Sequence, residues 1–215
     1  MKTCKAVVFD MDGVIFDSEK LVLQCWHRVG ENIPELEETC RLCIGLNADC
    51  TREIFQEKYG VDFPYDAYKE KMSALYWKTV EAGGLALKPG VRDFLQWLKA
   101  NGYATAVASS TRTAVVEKEL RLFGLAEYFD TIVGGDMVQR SKPAPDIFLT
   151  ACQALAISPK DGIAVEDSYN GIRSAHAAGM HPVMIPDMLP ATAEMEQLAE
   201  QIFSDMTQLQ RFLIQ

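Results

Sequence analysis

Two apolar rhythms alternate along this chain, and that alternation restricts its fold more than any composition figure does. The runs "KAVVF", "YATAVAS", "DTIVGG", "DGIAVE" and "HPVMIP" are short, rich in β-branched or small apolar residues, and bounded by polar, Gly or Pro positions. Such runs are the signature of strands buried on both faces. Between them the period changes. Val91, Phe94, Leu95 and Leu98 fall at i, i+3, i+4 and i+7, followed by Gly102 where a helix would stop. Phe148, Ala151, Cys152 and Leu155 repeat the spacing after Pro145, and Val116, Leu120 and Phe123 precede a closing Gly124. Strands alternating with helices of this length form parallel βαβ units, so the expected fold is α/β, a doubly wound, Rossmann-like parallel sheet.

One stretch breaks the rhythm. Residues 16–87 contain no convincing strand, only helical segments at 18–31, 47–59 and 65–81, before "GGLALKPG" restores the pattern. The expected organisation is an α/β core of residues 1–15 and 88–215 carrying an all-helical cap of residues 16–87, with hinges at 14–18 and 83–89.

Composition narrows the functional classes. A net charge of −9 on 215 residues argues against nucleic acid, which needs a positive footprint. No apolar run reaches the ~20 residues of a membrane span, and "MKTCKAVVFD" meets an acid too early for a signal peptide, so a cytoplasmic protein with reduced cysteines is expected. Cys40 and Cys43 form a C-x-x-C without a second pair at ligand spacing, and read as two thiols on one helical face.

The chemistry-bearing residues collect at strand ends. The first strand runs into Asp10 and Asp12, the second into Ser109, Ser110 and Thr111, and "AVEDS" into Glu166, Asp167 and Ser168; "RSKPAPD" after the third strand carries Lys142. In open parallel sheets ligands bind beyond these carboxyl ends. Carboxylates gathered there repel one another unless a hard cation joins them, and Mg²⁺ takes a few carboxylates together with phosphate oxygens.

On these residues the chain resembles the haloacid dehalogenase superfamily of phosphohydrolases: "DMDGV" looks like its first motif, Ser109 its second, Lys142 its third and "VEDSYNG" its fourth. A helical insert directly after the first motif resembles the phosphoglycolate-phosphatase-like and β-phosphoglucomutase-like subgroup. The resemblance implies that Asp10 is the nucleophile and Asp12 the general acid and base. It implies that Ser109 and Lys142 hold the phosphoryl group, and that Mg²⁺ is bound by Asp10, the Asp12 backbone carbonyl, Glu166 and Asp167. The turn "CIGLNADC" resembles the subgroup's specificity loop, so Gly45, Leu46 and Asn47 join Ser110 as expected substrate contacts.

Other residues have plainer readings. Asp17 caps or hinges the first cap helix, Ser168 is also a helix N-cap, Asn170 and Gly171 shape a turn, and Arg52 and Lys78 in the cap read as solvated faces, with contact to a substrate phosphate or sugar as the alternative. The mutases of the subgroup carry a cap histidine, arginine and lysine where this chain has Val22, Ala48 and, without gaps, Met72. The expected function is therefore a phosphatase acting on a small phosphorylated metabolite, a sugar phosphate, as a monomer or weak homo-oligomer. A β-phosphoglucomutase-like mutase is the alternative, and a non-catalytic receiver-type module a distant third.

Overall fold

The computed structural model describes residues 4–215. Six parallel strands form one sheet in the order β3-β2-β1-β4-β5-β6. They are β1 (Ala6–Phe9), β2 (Ala104–Ala108), β3 (Thr131–Val133), β4 (Gly162–Glu166), β5 (His181–Met184) and β6 (Gln201–Ile202). Five coincide with the runs read from the sequence. The sixth is two residues with an exposed Gln201, too short and polar to leave a pattern.

The strand period of two sorts side chains to opposite faces. Val7, Phe9, Val107, Ile163 and Val165 enter one core with helices α5 (Val91–Ala100), α6 (Thr113–Leu122) and α10 (Met206–Ile214). Val8, Ala106, Ala108 and Ala164 enter the other with α7 (Asp146–Ala154) and α8 (Tyr169–Ala177), while α9 (Ala193–Leu198) lies beyond. The stripe Val91, Phe94, Leu95 and Leu98 is wholly buried on α5.

Between β1 and α5 run four cap helices: α1 (Ser18–Val29), α2 (Leu36–Leu42), α3 (Ala48–Tyr59) and α4 (Tyr65–Glu81). Helix α2 is the one the sequence did not announce. It is seven residues long, starts from a left-handed Glu35 with no side-chain cap, and buries only Leu36 and Thr39. The cap's aromatic residues gather around Phe55, whose ring centroid lies 4.8 Å from Trp26 and 5.2 Å from Tyr65, and they continue into the buried cluster on the α5 face of the sheet. Two crossings tie cap to sheet side by side: Asp17 N–H donates to Ala86 O, and Lys88 N–H to Ile15 O, each at 2.9 Å. Lys88 Nζ also pairs with Asp187, which follows β5, at 2.6 Å. Among the described residues no helix is long and apolar enough to cross a membrane.

Candidate active site

Strand β1 is central, and the chain order reverses around it, with β2 on one side and β4 on the other. The crevice at its carboxyl end is therefore the place for a ligand. Asp10 extends the β1–β4 ladder, its N–H donating to Val165 O at 2.9 Å. The chain then turns sharply. Gly13 has a φ of +76°, and a Cβ there would lie 2.3 Å from Asp167 Oδ2, so this position needs glycine both for conformation and for space.

Lys142 is buried and joins three strand ends. Its Nζ donates to Asp10 Oδ1 at 2.5 Å, to Glu166 Oε1 at 2.6 Å and to Ala108 O at 3.0 Å. Burial alone would favour the neutral amine, but the two carboxylates outweigh it and raise the Lys142 pKa. Glu166 is oriented from its other oxygen: Oε2 accepts from the N–H groups of Asp167 and Ser168 and from Ser168 Oγ. The helix behind it must be bare, because a Cβ on Gly171 would overlap the Glu166 carboxylate at 1.8 Å. Ser168 Oγ also accepts from Gly171 N–H, so this residue caps α8 while it holds Glu166.

Asp12 has a different environment two residues from Asp10. Ser18 Oγ donates to its Oδ1 at 2.6 Å and Thr111 Oγ1 to its Oδ2 at 3.0 Å. Its carboxylate is thus held by two hydroxyls, leaving the backbone carbonyl as the part of Asp12 free to meet a cation. Ser109 is buried at the end of β2, with Oγ accepting the Thr111 N–H at 3.1 Å.

Asp10, Glu166 and Asp167 each offer an oxygen, all within 4.8 Å of one another. Burial pushes Asp10 up to about 8 despite Lys142, and lifts Asp167 well above the carboxylate range. Asp167 Oδ2 is buried without a hydrogen-bond partner among the described residues. Three hard oxygen donors, one of them orphaned, fit a small divalent cation.

Above Asp10 and Asp12 lies a cavity of about 160 Å³, roofed by cap residues. Gly45, Leu46 and Ser110 line it. Gly45 has a φ of +75° and packs on the fourth motif so closely that a Cβ would lie 2.7 Å from Ser168 Oγ; its carbonyl accepts from Ser110 Oγ at 3.4 Å. Asn47 is placed differently. Its Oδ1 accepts the Cys50 N–H at 2.9 Å and caps α3, and it is not a lining residue. An Asn at a helix start satisfies an orphan donor, which here takes it out of the cavity. Asp17 occupies the N-cap position of α1 without a capping hydrogen bond and pairs with Lys20 at 3.0 Å. Cys40 and Cys43 both face the cavity, and burial pushes each thiol up to about 12.

A second cavity of about 470 Å³ adjoins the first, sharing Asp12, Leu46, Lys69 and Ser110 as lining. Arg52 lies in its wall with its side chain still largely exposed, paired with Asp66 at 2.7 Å. Across it the cap meets the core: Tyr76 OH donates to Glu119 Oε1 at 2.9 Å, and Lys118 Nζ lies 3.5 Å from the Trp77 ring centroid. Sequence reasoning missed Ser18, Glu19, Lys69 and Glu119. Only Ser18 had a signal, its spacing of one helical turn and more from Asp12, and that spacing equally suits an N-cap.

The chain matches the haloacid dehalogenase-like hydrolase family over residues 7–185. It belongs to that family. This haloacid dehalogenase-like hydrolase is 32% identical over 181 residues to the "Phosphorylated carbohydrates phosphatase" of Thermotoga maritima, covering 83% of each chain. It is also 32% identical to the "Beta-phosphoglucomutase" of Bacillus subtilis, covering 83% of this chain and 82% of that one. Among solved structures, CbbY from Rhodobacter sphaeroides in complex with phosphate superposes with a TM-score of 0.80 at 26% identity, over 96% of both chains. The cap and the parallel sheet are those of the family, and the hydrolase is an enzyme of this class.

Proposed function

We propose that this hydrolase is a Mg²⁺-dependent phosphatase that releases inorganic phosphate from a small phosphorylated sugar or polyol through an aspartyl phosphate on Asp10. The observation that carries the reading is the unequal treatment of two aspartates two residues apart. Asp10 faces Lys142 and the acidic group, whereas Asp12 is aimed by Ser18 and Thr111 toward the cavity.

Asp10 attacks phosphorus, the phosphorus–oxygen bond to the alcohol breaks, and Asp12 supplies the proton to the departing oxygen. Asp12 then takes a proton from the water that attacks the acyl phosphate. Lys142 and Ser109 hold the phosphoryl oxygens, where negative charge must be neutralised. Asp10, Glu166, Asp167 and the Asp12 carbonyl would hold Mg²⁺, which when bound offsets the charge shared by carboxylates and phosphate. Gly45, Leu46 and Ser110 close over the leaving group, with residues 16–87 moving as the cap. Every group in this scheme comes from one chain, which supports activity as a monomer or weak homo-oligomer.

The mutase reading has the likeness to a β-phosphoglucomutase in its favour. Against it, Val22 lines both cavities where the mutase-like cap carries a histidine. Phosphate release from p-nitrophenyl phosphate and a panel of sugar and polyol phosphates, with Mg²⁺, tests the phosphatase. Conversion of β-glucose 1-phosphate to glucose 6-phosphate with little free phosphate would replace it by the mutase.

A further inference from the structure

Cys40 and Cys43 both line the catalytic cavity with Asp10 and Asp12, and the scheme above uses neither. Cys40 sits in the last turn of α2, and Cys43 caps that helix with near-helical angles, φ −90° and ψ −5°. The Cys43 N–H donates to Cys40 O at 3.0 Å, so the turn closes between them. Residues three apart on a helix have Cβ atoms about 5–6 Å apart, which puts both sulfurs within reach of one atom placed between them. Both thiols are free and half-buried, Cys43 Sγ donating to Thr39 O at 3.2 Å. Cys4, Cys25 and Cys152 are buried, and Cys50, half-buried too, does not line the cavity.

Chemistry narrows what such a pair can take. A zinc-like cation seeks four donors. Among the described residues, the one cluster of three His, Cys, Asp or Glu side chains at ligand spacing is Asp10, Glu166 and Asp167, away from these sulfurs. Closing a disulfide begins with a thiolate, and burial pushes both thiols up to about 12. A trivalent arsenical, R–As=O, escapes both obstacles. Two As–S bonds form, the As=O bond breaks, and the oxygen leaves as water carrying both thiol protons, with no change in oxidation state. The reaction asks only for two thiols one turn apart in a space that small molecules enter, and a cavity that admits a phosphate ester is such a space.

We propose that Cys40 and Cys43 form a vicinal-dithiol site in the roof of the catalytic cavity that takes trivalent arsenicals, and that its occupancy stops turnover by filling the space over Asp10 and Asp12. Binding stands on the two thiols alone. The loss of turnover rests on the phosphatase reading.

The test treats the full chain, with Mg²⁺ present, with phenylarsine oxide. Intact-mass measurement should find a single phenylarsenic bridge per chain, formed with loss of water, and hydrolysis of p-nitrophenyl phosphate should stop. The dithiol 2,3-dimercaptopropanol should restore it, and 2-mercaptoethanol at the same thiol concentration should not. The second arsenic–sulfur bond is intramolecular, so Cys40→Ser and Cys43→Ser should each weaken the reagent's hold at least about 100-fold, judged against that variant's own untreated activity. Cys40→Ala and Cys43→Ala give the same comparison without a hydroxyl in a half-buried position, and Cys50→Ser should stay as sensitive as the parent. Absence of the adduct, or inhibition that persists in both Cys40→Ser and Cys43→Ser, overturns the site. An adduct on the pair with undiminished turnover overturns its action on the catalytic groups. A chain that forms the adduct but hydrolyses no ester strikes the phosphatase reading and leaves the dithiol site standing.

Discussion

The sheet edge and the helical cap hold their polar side chains in opposite ways. At the edge, Lys142 is buried against Asp10 and Glu166, and Glu166 has donors on both oxygens. In the cap, the tightly packed part is aromatic, with Phe55 between Trp26 and Tyr65, and the groups facing the cavity, Glu19 and Lys69, have no ion-pair partner within 4 Å among the described residues. Preorganised charge favours one transition state and costs no rearrangement when it is reached. In the proposed function chemistry belongs to the edge and choice of substrate to the cap, and the two regions touch at a few contacts, Gly45 on Ser168 and Tyr76 on Glu119.

The harshest test of that division is Asp10→Asn, which keeps shape and removes the nucleophile. Turnover should fall at least about 10⁴-fold on every ester, with unchanged circular dichroism. A loss that varied strongly from ester to ester would place substrate choice at the sheet edge and break the comparison. Chelation with EDTA should cost about 10³-fold, restored by Mg²⁺ and poorly by Ca²⁺, whose longer bonds and looser coordination misplace the phosphate. Full activity after chelation, with metal absent by elemental analysis, would remove the role given to Asp167.

The cap should respond through stability first. Phe55→Ala should cost about 3 kcal/mol or more, read as a lower melting temperature, because it empties the middle of the cap's aromatic core. Its activity at 25 °C should fall far less than that of Asp10→Asn. A melt unchanged from the parent would mean that the cap contributes nothing to the cooperative unit.

The smallest effect concerns the contact between the two regions. Burial pushes Glu119 up to about 8, so the folded state holds its proton more tightly than the unfolded chain, whose value is near 4.5. Its contribution to stability is then fully present below about 4.5 and is lost as pH rises through 8. Glu119→Gln imitates the protonated acid and should flatten that decline, gaining about 1 kcal/mol at pH 8, or about 2–4 °C in melting temperature, and little at pH 5. An equal shift at both pH values would assign Glu119 a packing role with no titration behind it.

Much of this architecture was legible because its causes are local. A strand buried on both faces must be an apolar run, a helix against a sheet must repeat near 3.6, and parallel connections bring all strand ends to one edge. Asp10, Ser109, Lys142, Glu166 and Asp167 could therefore be placed at one edge from sequence order, and the cap from the missing strands. Helix α2 and strand β6 escaped because seven residues with two buried positions, and two residues with an exposed Gln201, carry no period to detect.

What only the tertiary structure decided are the meetings between segments that no local pattern couples. Thr111 reaches Asp12 from 99 positions away, and Tyr76 finds Glu119 across 43. Asn47 went to a helix cap while Glu19 and Lys69 went to the cavity, although all lie on polar faces of one helical insert. Periodicity tells which face of a helix is apolar. Which polar residue at the edge of that face turns inward depends on how the four cap helices cross one another and where Gly45 lets them close on Ser168, and crossing geometry is set by side chains packing between helices distant in the chain.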